Sequence, residues 1–191
     1  MKLVLASTSA YRRDLLARLD VPFDTARPEV DETPLPGEAP PDTADRLALA
    51  KARAIAAHTP DALVIGSDQV AHLGHEVFGK PGTVERAVAQ LQRMRGETVI
   101  FHTAVALIDT RNGRERLARV PTEGRFRMLS DAEIVRYVEK ERPLDCAGSA
   151  KSEALGITLL EALSGDDPTA LVGLPLIALS TMLREAGLEL P

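Results

Sequence analysis

The sequence predicts a mixed α/β protein, mostly a central sheet flanked by helices, and three features carry that reading. Two nearly continuous apolar runs, Lys2-Leu3-Val4-Leu5-Ala6 and Ala62-Leu63-Val64-Ile65-Gly66, have the composition of strands buried on both faces, as in parallel sheets. Helix-like stretches separate them. A third apolar run, Val99 to Ile108, is followed by Asn112-Gly113 and a returning stretch to Phe126, the pattern of a hairpin. Parallel-type strands early and a hairpin in the middle make the order mixed α/β.

The chain has 191 residues, 45% of them hydrophobic, enough to bury a substantial core in one domain over residues 1–191. A formal net charge of −5 gives no long-range attraction to polyanions, so coating a nucleic-acid polymer or a membrane surface is disfavoured. A small polyanionic substrate instead needs a local cluster of cations, helped by a metal. The single cysteine, Cys146, cannot form an internal disulfide and has no second thiol for a metal site. Leu3 to Ala6 is too short for a signal-peptide core. The apolar stretch Ala170 to Leu179, interrupted by Gly173 and Pro175, is about half of what a bilayer requires. A cytoplasmic location follows as the expectation.

Taken in order, the first strand runs into Ser7-Thr8-Ser9, whose hydroxyls can cap a helix from about Ala10 to Leu19, with Leu15, Leu16 and Leu19 on one face. The helix start is an anion site by its free N–H groups and dipole, and Arg12 and Arg13 lie in its first turn. Residues Arg27 to Asp42, rich in proline and acid, read as a loop holding Glu29, Asp31 and Glu32. A second helix spans Thr43 to His58, with Leu47, Ala50, Ala54 and Ile55 inward and Lys51 near the edge of that face. The second apolar strand then runs into Ser67-Asp68-Gln69-Val70. A charge directly after an apolar strand is costly unless it stands at the strand's carboxyl end, where α/β proteins place ligands. Asp68 is therefore the leading site candidate.

Leu73 to Val77 reads as a hairpin turn, Gly79-Lys80-Pro81-Gly82 as a tight loop delivering one lysine, and Val84 to Arg95 as a helix. Beyond the central hairpin, Ser130-Asp131-Ala132-Glu133 fits a capping box for a helix to about Lys140. A loop through Cys146 to Glu153, an apolar segment Gly156 to Leu163 and a last helix from Pro175 to Ala186 complete the chain.

Arg12 with Arg13, Glu32, Lys51, and Asp68 with Lys80 supply cations for phosphates and carboxylates for a divalent metal, the equipment of phosphoryl chemistry. Taken singly, each of these residues also fits an ordinary solvated surface role. His72 and His75 fall on a turn without a third metal-binding partner, and His102 reads as a hydrogen-bonded histidine within a strand. A Gly-x-Ser-x-Gly elbow and a phosphate-binding Walker loop are both missing.

Ala6-Ser7-Thr8-Ser9 with Arg12-Arg13, Val30-Asp31-Glu32, Lys51-Ala52, Gly66-Ser67-Asp68, Gly79-Lys80-Pro81 and Gly173-Leu174-Pro175 together resemble the Maf nucleotide pyrophosphatases. The resemblance implies a bilobed fold with a cleft, of the kind shared with inosine triphosphatases. Within the family the chain is similar to the YceF-type branch, associated with 7-methyl-GTP, through Ser67-Asp68-Gln69-Val70, Phe101-His102-Thr103, Cys146-Ala147-Gly148-Ser149 with Lys151-Ser152-Glu153, and Asp167-Pro168-Thr169. The branch acting on dTTP and UTP would carry arginine, threonine and glutamine at Tyr11, Gln69 and Glu153. A 7-methylguanine base is cationic, so the Tyr11 face can stack on it for about 0.5–2 kcal/mol. The Glu153 carboxylate can accept from guanine N1–H and the N2 amine together. Ala10 stands where the family usually has proline, and Tyr11 where this branch often has tryptophan.

The implied reaction is attack of water on the α-phosphate, releasing a nucleoside monophosphate and pyrophosphate with help from a divalent cation, magnesium, manganese or cobalt. Asp68 would take the proton or hold the metal with Glu32, while Ser7, Arg12, Lys51 and Lys80 hold the triphosphate. The resemblance also implies a homodimer. Two alternatives stand beside this reading: a dTTP/UTP-directed or inosine-type pyrophosphatase, and a nucleotide-binding regulator of cell division.

Overall fold

Four of the five residues of strand β1 (Lys2–Ala6) are buried, as a strand covered on both faces requires. The computed structural model describes residues 2–190, and among them β1 belongs to a seven-stranded sheet of order β2-β1-β3-β5-β6-β7, with β4 paired to β3. The chain divides into two compact units: one comprises the chain up to Gln69, Thr103–Val120 and the chain from Asp167, the other Val70–His102 and Pro121–Asp166. The mixed α/β expectation holds. Among the described residues no helix is long and apolar enough to cross a membrane.

In the first unit, β1 lies between two parallel neighbours. It pairs with β2 (Asp24–Ala26), Val4 opposite Asp24, and with β3 (Ala62–Leu73), Lys2 opposite Ala62 through Leu5 opposite Ile65. Strand alternation sorts the side chains onto two faces. Leu3, Leu5, Leu63 and Ile65 join one core with Leu15 and Leu16 of helix α1 (Ala10–Ala17) and Leu179 and Leu183 of helix α5 (Leu176–Glu185). Burial of side chains of this kind stabilises the fold by about 1.5–3 kcal/mol each.

The other face of β3 meets helix α2 (Pro40–Ala56) at unusually close range. A Cβ added at Gly66 would run into the Ala48 carbonyl and lie 2.6 Å from the Ala52 nitrogen. Only glycine lets the strand and helix backbones approach this closely.

Three expectations require correction here. The helix begins at Pro40 rather than Thr43, because a proline in the first turn lacks only an N–H that would be unpaired anyway. Its buried stripe is Thr43, Ala44, Leu47, Ala48, Lys51 and Ala52, whereas Ala50, Ala54 and Ile55 are half-buried. Alanines on every face blurred the phase, and Lys51 falls inside the stripe rather than at its edge. Finally, β3 does not stop before Asp68 but continues to Leu73. Its pairing with β1 ends at Ile65, so Asp68 stands beyond the parallel pairing yet within the strand. The short exposed strand β2 carries too few apolar residues to announce itself.

The anticipated hairpin joins β5 (Thr98–Asp109) to β6 (Arg114–Phe126). The Asp109 carboxylate closes its turn, accepting from the Arg111 backbone N–H and guanidinium and from the Asn112 amide. These bonds, that to the Arg111 guanidinium foremost, hold its carboxyl down at about 2.

The second unit holds β4 (Glu76–Phe78), helix α3 (Val84–Met94), helix α4 (Asp131–Glu141) and β7 (Leu160–Gly165). The end of β3 pairs antiparallel with β4, and the end of β6 with β7. The capping box is present in full: Ser130 and Glu133 each bond the other's backbone. The apolar segment after Gly156 is a short tight-helical stretch ending at Leu159 and then β7. His102 is half-buried, its ring stacked on His72 with centroids 5.2 Å apart. Burial pushes the Cys146 thiol up to about 12, which keeps it a neutral, unreactive thiol.

Candidate functional site

Helix α1 opens at Ser9, whose side chain accepts from the Arg12 N–H at 3.4 Å. Ser7, 6% exposed, accepts from the Ser9 N–H at 3.1 Å, so the hydroxyl turn is ordered before the helix begins. No acid lies in the first turn of α1, which leaves its positive end for an anion. Arg12 is half-buried and Arg13 exposed. Arg12 Nε donates to the Gly173 carbonyl at 2.8 Å. Burial lowers the guanidinium from its ordinary value, opposed by the charges of Asp68 and Glu32, and arginine stays ionised all the same.

The close contact at Gly66 brings Lys51 of α2 against Asp68, two residues further along the same face of β3. Lys51 Nζ lies 2.6 Å from Asp68 Oδ1 and 2.7 Å from Glu32 Oε1. The Lys51 and Asp68 side chains are only 7% and 10% exposed, that of Glu32 54%. A buried ammonium requires such partners, since an unpaired charge there would be strongly disfavoured.

Glu32 is held in reach by its own loop. Arg46 Nη2 donates to the Thr33 carbonyl at 3.2 Å, and its guanidinium grips Glu38 at 2.6 and 2.8 Å. Arg46, with the Leu35 N–H and the Thr43 hydroxyl, holds the Glu38 carboxyl at about 2.

On the opposite face of β3, Ser67 is fully buried, its single hydroxyl proton shared between the Ala104 carbonyl at 2.8 Å and the Gly173 carbonyl at 2.9 Å. Gln69 Nε2 donates to Thr103 Oγ1 at 2.9 Å and the Leu171 carbonyl at 2.9 Å, with the Ala170 carbonyl at 3.1 Å. The loop supplying these carbonyls is tied to the start of α5. Asp167, 3% exposed, accepts from the Thr169 N–H and hydroxyl and from the Ile177 N–H. Gly173, whose carbonyl serves both Arg12 and Ser67, has φ +122, a conformation that strains any other residue.

Within the first unit, then, Arg12, Glu32, Lys51 and Asp68 form one charged group, Ser7 lies at the adjoining end of β1, and Gln69 follows Asp68 directly. Tyr11 is half-buried in the first turn of α1. Lys80 and Glu153 belong to the second unit, where both are exposed. Lys51 is no snorkelling surface lysine. Ser67, Thr103 and Asp167, buried polar residues of the first unit, enter the sequence reading only inside the stretches that carry the resemblance and are given no role there; Ser67 and Thr103 stand as small polar residues within apolar runs, while Asp167 has no such local signal.

Glu32 and Asp68 approach a common nitrogen, so their oxygens converge on a small volume. That donor set fits a hard divalent ion of the magnesium type, which takes one or two carboxylates and completes its shell with water and substrate phosphates. Among the described residues no cluster of three histidine, cysteine or acidic side chains offers a full protein cage.

The family model described as Maf-like protein matches residues 2–186. A 7-methyl-GTP pyrophosphatase of Aromatoleum aromaticum is 75% identical over 190 residues, all of this chain and 98% of that protein. A 7-methyl-GTP pyrophosphatase of a Polaromonas species is 60% identical over 188 residues, 98% of this chain and 86% of that protein. Among solved structures, a HAM1 protein from Coxiella burnetii matches with a TM-score of 0.53 at 17% identity, over 97% of this chain and 99% of that one, a likeness of fold.

Proposed function

The chain belongs to the Maf-like protein family, and on that premise we propose that it hydrolyses 7-methyl-GTP to 7-methyl-GMP and pyrophosphate. The observation that carries the proposal is the buried Lys51 bridging Asp68 and Glu32, in the same group as Arg12 at the opening turn of α1. The activity for which the 75% identical relative of Aromatoleum aromaticum is named supports the substrate.

Asp68 accepts a proton from the water that attacks the α-phosphorus. General-base help of this kind contributes about 10²–10⁴-fold in rate. Lys51 has three N–H donors; with Asp68 and Glu32 engaged, one remains for a phosphate oxygen. Arg12 commits Nε to Gly173 and keeps its terminal amino groups for the triphosphate. The Ser7 hydroxyl and the N-terminal N–H groups of α1 add neutral donors aimed at the same anion. Glu32 and Asp68 would hold a divalent cation, magnesium, manganese or cobalt, which neutralises charge on the phosphoryl oxygens when bound. Tyr11 offers its ring to the cationic base.

The test is release of pyrophosphate from 7-methyl-GTP, GTP, dTTP, UTP and ITP with each of the three metals. A clear preference for 7-methyl-GTP is expected, and equal or faster turnover of dTTP would overturn the proposal. The reading further includes a cytoplasmic homodimer, which cell fractionation and analytical ultracentrifugation check.

A further inference from the structure

Gln69 has two amide protons and meets three acceptors. Two of these, the carbonyls of Ala170 and Leu171, can only accept, so the nitrogen end of the amide must face them. The third, Thr103 Oγ1, has its own proton committed to the Ala170 carbonyl at 2.8 Å and therefore receives from Gln69 at 2.9 Å. The proton count closes: Thr103 O–H to Ala170, one Gln69 N–H to Thr103, the other to Leu171. Thr103 is fully buried and water cannot replace it as a partner. Every side-chain hydrogen bond of Gln69 among the described residues runs through Nε2, which leaves Oε1 as the one polar atom the residue has to offer.

We infer that Thr103 is a positioning residue that locks the Gln69 amide, so that Gln69 meets the substrate base as an acceptor through Oε1. This rests on the proposed 7-methyl-GTP reading. A fixed acceptor favours a base edge that presents N–H groups or positive charge, as guanine N1–H, its N2 amine and a methylated imidazolium ring do. It repels a bare lone pair such as N7 of an unmethylated purine. The lock is neutral and belongs to selection of the base, whereas hydrolysis proceeds at the Asp68 group.

The experiment compares the wild type with Thr103→Val, which keeps the shape and removes the hydroxyl, and Thr103→Ser, which restores it. Loss of the lock is expected to lower the ratio of kcat/KM for 7-methyl-GTP over GTP by roughly fivefold to tenfold, the worth of one hydrogen bond, with kcat on GTP unchanged. Thr103→Ser is expected to recover the ratio. Gln69, Gln90, Gln92 and Asn112 are the only side-chain amides in the sequence, so an NMR spectrum of these groups resolves Gln69 directly. Its protons are expected to exchange slowest in the wild type and to lose that protection in Thr103→Val.

An unchanged ratio in Thr103→Val, or an equal fall in kcat for both substrates, would overturn the inference. If the wild type shows no preference for 7-methyl-GTP, the functional reading falls, and amide exchange still decides the lock: protection lost on substitution keeps it, protection unchanged removes it.

Discussion

Asp68 and Gln69 are consecutive residues of one strand, and they live in opposite electrostatic worlds. Alternation turns Asp68 toward α2, where an ammonium and a second carboxylate meet it, and turns Gln69 toward the Ala170–Leu171 carbonyls and a threonine hydroxyl. The first group carries full charges with open valences for phosphate. The second is neutral, with every proton assigned. One peptide bond thus separates the part that handles charge from the part that orients an uncharged hydrogen-bonding edge. The two can therefore be altered independently.

The largest break in that comparison is Asp68→Asn. It is expected to lower kcat by about 10²–10⁴-fold on every triphosphate alike, measured as pyrophosphate release, while the ratio between bases stays as in the wild type. A base-dependent loss would show that the two groups are not separate.

Gly66→Ala strikes the charged side through packing. Its methyl meets the Ala48 carbonyl and the Ala52 nitrogen, so α2 must move and carry Lys51 with it. Overpacking of this kind costs about 1–3 kcal/mol, and thermal unfolding should show it together with a fall in kcat. Asp167→Asn strikes the neutral side by weakening the tie between the carbonyl loop and the Ile177 N–H. A loss of about 1 kcal/mol is expected, with a reduced 7-methyl-GTP over GTP ratio and little change in kcat on GTP.

The smallest effect concerns acid. The Glu38 carboxyl is held at about 2, below its ordinary 4.5, chiefly by Arg46. A depressed carboxyl stabilises the fold fully above its ordinary range and loses that contribution as pH falls from about 4.5 toward 2. The Glu38 side chain is only 10% exposed, but its Arg46 partner is 29% exposed, so solvent and salt still screen the pair and the effect is small. In Glu38→Gln the melting temperature should fall less steeply across that window, and the Lys51 side of the site, whose Glu32 loop Arg46 secures, should loosen first.

Much of this architecture was legible because strand burial writes itself into composition. The runs Leu3–Ala6 and Leu63–Gly66 could bury both faces only inside a parallel sheet, and a charge directly after such a run marked Asp68 before any geometry was known. The hairpin turn and the Ser130 capping box were equally plain, since each is a local contract between neighbouring residues. What the sequence hid was phase and distance. An alanine-rich helix has no contrast between its faces, so Lys51 was placed at an edge rather than in the buried stripe. Gly66 gave no sign that its missing side chain sets the helix–strand spacing. Thr103 and Ala170 lie 67 positions apart, and no local pattern tells a threonine which carbonyl it will find.

The charged group has one more property. Arg12 and Lys51 contribute two positive charges and Glu32 and Asp68 two negative ones, a balanced quadrupole within a chain of net charge −5. Where the divalent cation arrives with the nucleotide, such a site exerts little pull on a polyanion beyond a Debye length, about 10 Å at 0.1 M salt. Capture of the nucleotide is then governed by diffusion and fit rather than by steering. Raising ionic strength should leave kcat/KM flat or gently rising, where an electrostatically guided enzyme slows steeply. A stopped-flow salt series at fixed metal reads this directly, and it makes the enzyme's capture rate nearly indifferent to the ionic composition of its surroundings.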